Sequence, residues 1–479
     1  MRKLPSISCL ILMYMFSLAA FAQTIECQDV ASCLPLAQAG NAEAQIRLAE
    51  IYFQGQGVTK DFGQAINWFQ QAADAGNTFA EYRLAGFYLF GLHVEKNYSK
   101  ALKYFHLAAA KDHAPSQAFL GMMYERGYGS EKNIRNALKW YELAAEKGYP
   151  RAEYSIGYIY ATGEGVKQNY EQALPWLRRA AEHNYPQAEY LLGMLYDRGE
   201  GVPKNFTTAI EWYRKAAEKG YAPAQFNLAS MYASGDGVTK DQEQAAHWYR
   251  QAAEQGFAKA QFNLAWSYET GTGVTQDYQQ AMAWYNKAAE QGYVPAQFNL
   301  GVFYAKGFGV PANQQKAVEW YRKAAENGYA RGQYNLGLRY SNGNGVEQDH
   351  AQSVEWYRKA AEQNFLPAQY NLAIKYAQGE GVNQSFVEAA KWYLKAAELG
   401  YANAQYNIGL LYYRGQGVPH DLVKAYAWIN VALTKGGSEQ EKQLRDKILM
   451  ELPAKQKQQA ETLSNQYWQL YVKPFPSAE

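Results

Sequence analysis

Side chains able to do chemistry are few in this chain and thinly grouped. His93, His106 and His113 form its densest set of metal-capable residues, but their spacing matches no compact ligand motif, so the expectation is no metal. Glu218, Glu254, Glu290 and Glu326 share one recurring position and read as solvated surface carboxylates. The turn Gly235-Asp236-Gly237-Val238 is glycine-rich like a phosphate cradle, yet it lacks the preceding strand and the following GK[ST]. There is no G-x-S-x-G, S-x-x-K, K-T-G or H-E-x-x-H, and no cysteine in a catalytic setting. The chain is therefore expected to be no enzyme, with no catalytic residue and no cofactor. Its remaining reactive pair is Cys27 and Cys33, a candidate disulfide in an exported protein. Six positions apart on a regular helix they could not bridge, so a bond there requires a turn, near Pro35.

What positions these residues is a period. Trp68, Tyr104, Trp140, Trp176, Trp212, Trp248, Trp284, Trp320, Trp356, Trp392 and Trp428 are each 36 residues apart, so the array carries no insertion. In each copy a second helix, helix B, shows one apolar face, as in Ala245, Trp248, Tyr249, Ala252 and Ala253. That face is predicted to be buried. Helix B begins after Asp61, Asn97, Asn133, Asn169, Asn205, Asp241, Asp277, Asn313, Asp349, Ser385 or Asp421, all able to accept first-turn N–H groups. It ends at a glycine, with Asn184 and Asn364 as substitutes and Asp112 as the exception. Helix A runs through Ala224, Phe226, Leu228, Ala229 and Tyr232, the tyrosine recurring in all eleven copies before the Gly-x-Gly-Val turn. Pro175, six residues past the Asn169 cap, is expected to kink its helix B.

Two helix A columns vary on this frame. After the aromatic, the copies read Arg47, Arg83, Phe119, Ser155 and Leu191, then Asn227, Asn263, Asn299, Asn335, Asn371 and Asn407. An amide ladder can pair the N–H and C=O of an extended peptide, or it can bond to a neighbouring helix. Three places on, the residues change most, among them Met122, Tyr158, Met194 and Trp266. In a concavity they would bind a protein; between repeats they would be core.

The series AQFNLASMY…GDGV…D…A..WY..AAEQG at 224–256, recurring over residues 41–436, resembles the Sel-one-like repeat family, a relative of the tetratricopeptide arrays. The resemblance implies an all-α fold, a right-handed superhelical solenoid of eleven 36-residue helix-turn-helix repeats, and a role in binding a protein or peptide. One cysteine-rich exported branch of that family is associated with β-lactams, which makes a binder or hydrolase of peptidoglycan fragments or β-lactams the alternative. The array at 41–436 contains no cysteine, which weakens that carry-over.

Both ends read differently from the array. Arg2 and Lys3, the apolar stretch Ile7 to Phe16 and Ala20-Phe21-Ala22 form a secretory signal over 1–22, cut after Ala22. Residues 23–40 are expected to be a half-repeat cap and 437–479 two capping helices, the first facing inward through Leu444, Ile448 and Leu452, the second through Ala460, Leu463, Tyr467 and Leu470. Loss of Arg2 and Lys3 takes 47 basic residues to 45 against 45 acidic ones, so neither nucleic acid nor an anionic membrane is an expected partner, and no transmembrane segment follows the signal. The expectation is a periplasmic or secreted monomer, a scaffold of the bacterial envelope able to engage a host protein. N-terminal sequencing of exported material is expected to begin at Gln23; intact Met1 recovered from the cytosol would sink the export reading.

Overall fold

The computed structural model describes residues 27–434 and 436–474. The signal segment 1–22 and its cleavage point lie outside the described residues. The fold is all-α: twenty-five helices and, among the described residues, no strand. Helix A and helix B of the first repeat are Ala42–Gln54 and Phe62–Asp74, and those of the eleventh are Ala402–Arg414 and Leu422–Leu433. The chain divides into two compact parts, Met1–Gly256 and Phe257–Glu479. Within each, helix A packs on its own helix B, and that helix B on the next helix A, which is the build of a helical solenoid.

Local chemistry sets these boundaries. Each of the eleven polar residues named above caps helix B, its side-chain oxygen accepting the backbone N–H three residues on, at 2.9 Å for Asp61 and 3.0 Å for Asn205 and Asp241. Helix A stops at a glycine in the left-handed region, as at Gly235 with φ +86°. Asp112 departs in type but not in conformation: its φ is +63°, in line with Asn184 and Asn364 at +60° and +61°. Lys147 holds the Asp112 carboxylate at 2.6 Å. Helix B around Pro175 runs unbroken over Tyr170–Glu182.

The helix B face is core through its alanines and tyrosine rather than its tryptophan. Ala245, Tyr249, Ala252 and Ala253 are buried, whereas Trp248 is half-buried. A lysine one turn on lies over several of these indoles, Lys287 at 3.8 Å from the Trp284 centroid and Lys359 at 4.0 Å from that of Trp356. The tyrosine presses on a helix A residue with almost no side chain. A Cβ added at Gly121 would lie 2.5 Å from the Tyr141 ring, so alanine in this column needs helix B to shift slightly.

Repeat-to-repeat register is held by a buried polar column just before the helix A aromatic: Gln45, Glu81, Gln117, Glu153, Glu189, Gln225, Gln261, Gln297, Gln333, Gln369 and Gln405, none more than 6% exposed. Gln225 and Gln405 donate Nε2 to the carbonyl eight residues back, Ala217 and Ala397, both at 3.0 Å. In eight copies the other end of the side chain meets a residue thirty positions on, at the end of the next helix B, and in seven of these the types match. Glu81 takes Lys111 at 2.7 Å, Glu153 takes His183 at 2.8 Å, and Glu189 takes Lys219. At Gln225, Gln261, Gln297 and Gln333 the partner is an amide, Gln255 donating to Gln225 at 2.8 Å and Gln291 to Gln261 at 2.7 Å, whereas Gln117 accepts from Lys147 at 3.4 Å.

At the start, Asp29 caps Val30–Gln38 in a capping box with Ser32, and Cys27 and Cys33 are bonded with Cα atoms 4.9 Å apart, just where the chain turns into that helix. At the other end Glu439–Glu451 and Ala454–Tyr471 both pack on the last helix B. Ile448, Leu452 and Ala460 are buried, and Tyr467 and Tyr471 stack on Trp428 at 4.3 and 5.4 Å. Leu470, expected inward, is 58% exposed. The inward stripe of that helix runs Ala460, Ser464, Tyr467, Tyr471 at helical spacing, which turns Leu470 to the opposite side.

Truncating Lys219 to Met strands the buried Glu189 carboxylate and is expected to cost about 1–3 kcal/mol. Changing both residues to Gln copies the neighbouring Gln225–Gln255 pair and is expected to recover most of that loss, as a double-mutant cycle by urea unfolding would read out.

Candidate functional site

The variable helix A column divides by burial. Trp266 is 47% exposed and Tyr158 38%, whereas Met194 is half-buried and Met122 only 6% exposed. Met122 lies in the core with Phe105, Phe119 and Tyr141, which takes it out of any binding surface. In the part from Phe257, the same column continues through the half-buried Val302, Leu338, Ile374 and Leu410. One apolar residue per repeat therefore runs along helix A, and beside it, three residues earlier, runs one amide per repeat.

Those amides, Asn227, Asn263, Asn299, Asn335, Asn371 and Asn407, are all half-buried. Asn371 and Asn407 each donate to the helix A tyrosine of the preceding repeat, Tyr334 at 3.4 Å and Tyr370 at 3.2 Å, while Asn335 donates to the Arg331 carbonyl at 2.9 Å. A primary amide has two donor hydrogens and two acceptor lone pairs, so these bonds use only part of its capacity. The ladder thus braces neighbouring repeats and still faces outward. The aromatic between each buried Gln and its Asn backs it: Phe262 meets Tyr285 at 5.4 Å, and Tyr370 meets Tyr401 at 5.2 Å.

The three histidines do not converge. His93 stacks on Phe62 at 3.4 Å, His106 faces the Tyr124 hydroxyl at 3.2 Å, and His113 pairs Nδ1 with Ser116 Oγ at 2.8 Å while its ring meets Tyr82 at 4.9 Å. Among the described residues no group of three His, Cys, Asp or Glu side chains could hold a metal ion. Glu218, Glu254, Glu290 and Glu326 are exposed. No helix is long and apolar enough to cross a membrane among the described residues.

Eleven consecutive stretches, from 42–77 to 402–436, match the model of the Sel1 repeat, and the intervening steps leave no gap. The chain belongs to the Sel1 repeat family. Sel1 repeats serve generally as protein-interaction scaffolds, and a helical frame with this few reactive groups fits that use. The chain is similar to the crystal structure of c5321, "a protective antigen present in uropathogenic Escherichia coli strains displaying an SLR fold", at 40% identity and a TM-score of 0.75, covering 93% of this chain and 96% of that one. It also resembles a Sel1 repeat protein from Oxalobacter formigenes, at 34% identity and a TM-score of 0.44 over 51% of this chain and 96% of that one. Among curated proteins none matches significantly.

Two sets of residues in the Sel1 frame escaped sequence reasoning. The buried Gln/Glu column could have been found from its strict type restriction beside an invariant helix face. The second set is Arg339 and Lys375, cations in a column otherwise filled by Ile51, Phe87, Met123, Ile159, Leu195, Met231, Ser267, Phe303 and Leu411. Their signal was the break in an apolar column.

Burial, with Lys147 nearby, pulls the His113 imidazole down to about 4 from its usual 6.5. The unfolded chain takes up a proton near pH 6.5 that the folded repeat refuses until about pH 4, so this group's contribution is whole above pH 6.5 and lost as the pH falls toward 4. The loss is expected to reach roughly 3 kcal/mol. His113→Tyr, which copies Tyr149 of the next repeat, is expected to remove that slope in urea unfolding at pH 7 and pH 4.5.

Proposed function

We propose that this chain is an exported, non-catalytic scaffold that binds an extended segment of a protein partner along helix A of the repeats from 258 onward. The observation that carries it is the pair of parallel stripes, Asn263 to Asn407 and Trp266 to Leu410, each supplying one residue per repeat and all half-buried except the exposed Trp266. An amide with unused capacity can meet the N–H and C=O of an extended backbone, and the apolar stripe beside it can take side chains. Trp266, at 47% exposure, is the natural anchor, because a large aromatic ring buries much area for little lost freedom. Two further features support placement outside the cytoplasm: the signal features at 1–22, and the description of the c5321 relative as a protective antigen. Engagement of a host protein is the extension of that reading. Tyr158, Met194 and Asn227 belong to the other compact part and form a separate candidate surface there.

The test couples binding to stability. Photo-crosslinking from position 266 of the mature protein, followed by mass spectrometry, identifies the partner, and Trp266→Ser is then expected to weaken its binding at least ten-fold, with stability changed by less than about 0.5 kcal/mol. Met122→Ser is expected to behave oppositely, losing about 2–5 kcal/mol as a core truncation. An unchanged affinity in Trp266→Ser would sink the proposed surface. Nitrocefin hydrolysis above the buffer rate would instead favour the β-lactam alternative.

A further inference from the structure

Arg339 and Lys375 stand in the same helix A position of successive repeats, where the other nine copies carry uncharged side chains. Lys375 is compensated from within its repeat. Its Nζ lies 2.6 Å from Glu380 Oε2, with His350 Nδ1 at 3.1 Å. Shifting back by one repeat replaces each partner: Glu380 becomes Asn344 and His350 becomes Gln314. Arg339 Nη1 does donate to Gln314 Oε1 at 2.5 Å, and its guanidinium lies 5.5 Å from the centre of the Tyr321 ring. No carboxylate reaches it within ion-pair distance among the described residues, and its buried Nε has no hydrogen-bond partner. Beside it opens a cavity of about 500 Å³, lined by Lys306, Gln314, Asn335, Arg339 and Asn344 among others, with two cations in its wall and no acidic residue.

We propose that this cavity is a carboxylate-binding site, in which a ligand carboxylate takes the place that Glu380 fills one repeat further on. The guanidinium N–H groups that face the cavity receive the carboxylate in a charge-assisted contact, which arginine favours. Lys306 adds long-range attraction, and the side-chain amides of Asn335 and Asn344 supply neutral donors. A neutral wall would not need this: in the same column Met231 and Leu411 close the helix packing with no ligand at all. The carboxylate belongs either to an acidic side chain of a protein partner or to a free small acid. Asn335 is also a rung of the amide ladder, so the first source rests on the reading of helix A as the recognition face, while the site itself does not.

The experiment follows the Arg339 Nε–Hε NMR signal in full-length mature protein labelled with 15N-arginine, the signal being assigned by its loss in Arg339→Lys. Titrated probes are acetate, inorganic phosphate, and an acetylated, amidated Ala-Ala-Glu-Ala-Ala peptide with its Gln counterpart. The expected result is a saturable shift with acetate and with the Glu peptide, absent with the Gln peptide. Asn344→Glu, which recreates the internal partner seen in the next repeat, is expected to weaken acetate binding at least ten-fold while keeping the helical fold, and Arg339→Met, which copies Met231, is expected to abolish acetate-dependent thermal stabilisation. A Glu peptide binding ten-fold tighter than acetate assigns the carboxylate to a partner's side chain; equal affinities assign it to a free acid. The proposal is overturned if acetate produces no saturable shift, if Asn344→Glu binds acetate as tightly as the parent, or if phosphate binds ten-fold tighter than acetate. Carboxylate binding that persists while Trp266→Ser leaves partner capture unchanged would retire the extended-segment reading and keep this site.

Discussion

A buried amide or carboxylate must be satisfied, and in this molecule that requirement recurs once per repeat. The side chain preceding each helix A aromatic sits where water does not reach, and leaving a polar atom there unpaired costs about 1–3 kcal/mol. In copies such as that of Gln225 its two ends are met by different elements: a carbonyl near the end of the preceding helix B and a side chain thirty residues later. Slipping either helix by one turn breaks both contacts at once. Alanine and tyrosine packing supplies the area that drives helices together, but it tolerates small slides, whereas the polar column does not. The glycine and alanine column opposite the helix B tyrosine, and the caps that start helix B on time, follow from holding that register.

The same requirement explains why residue types change together. A carboxylate at 81, 153 or 189 is matched by Lys111, His183 or Lys219, and Gln225 or Gln261 by another Gln. A Glu set against Gln would leave a buried charge weakly compensated, and where Gln117 does meet a lysine, Lys147 takes its anion from Asp112 instead. Most repeats therefore carry either an ionic or a neutral latch, with both partners of the same kind. This is a rule of pairs, invisible in either column taken alone.

The fold was legible because its signals are local. Eleven capping side chains, the glycine stops and a period without insertions mark every helix end, and even Asp112, which broke the glycine pattern, adopts the conformation that the pattern demanded. Burial within a column was not legible. Met122 and Trp266 occupy equivalent positions, yet one is core and the other exposed, because a flexible thioether folds into the gap between helices while an indole overfills it. The tryptophan column misled in the opposite sense: its recurrence suggested full burial, whereas Trp212, Trp284, Trp320 and Trp356 are only half-buried, each with a lysine ammonium over its face. Leu470 failed for a simpler reason, since an apolar residue on an amphipathic end helix can fall one position off the buried stripe.

Departures from the frame separate into two kinds once the contacts are known. His93 and Asp112 depart in residue type while keeping the left-handed conformation of the glycines they replace, and Pro175 lies within a continuous helix, so the array absorbs all three. Lys375 departs too, but it arrives with Glu380 and His350, and the repeat closes on itself. Arg339 departs without such company. Its guanidinium, with no carboxylate partner among the described residues, stands at the wall of an open cavity, on the helix face that also carries the amide and apolar stripes. In a repeat protein, where packing fixes most positions, the place to look for recognition is the position whose own physics is incomplete until something else binds.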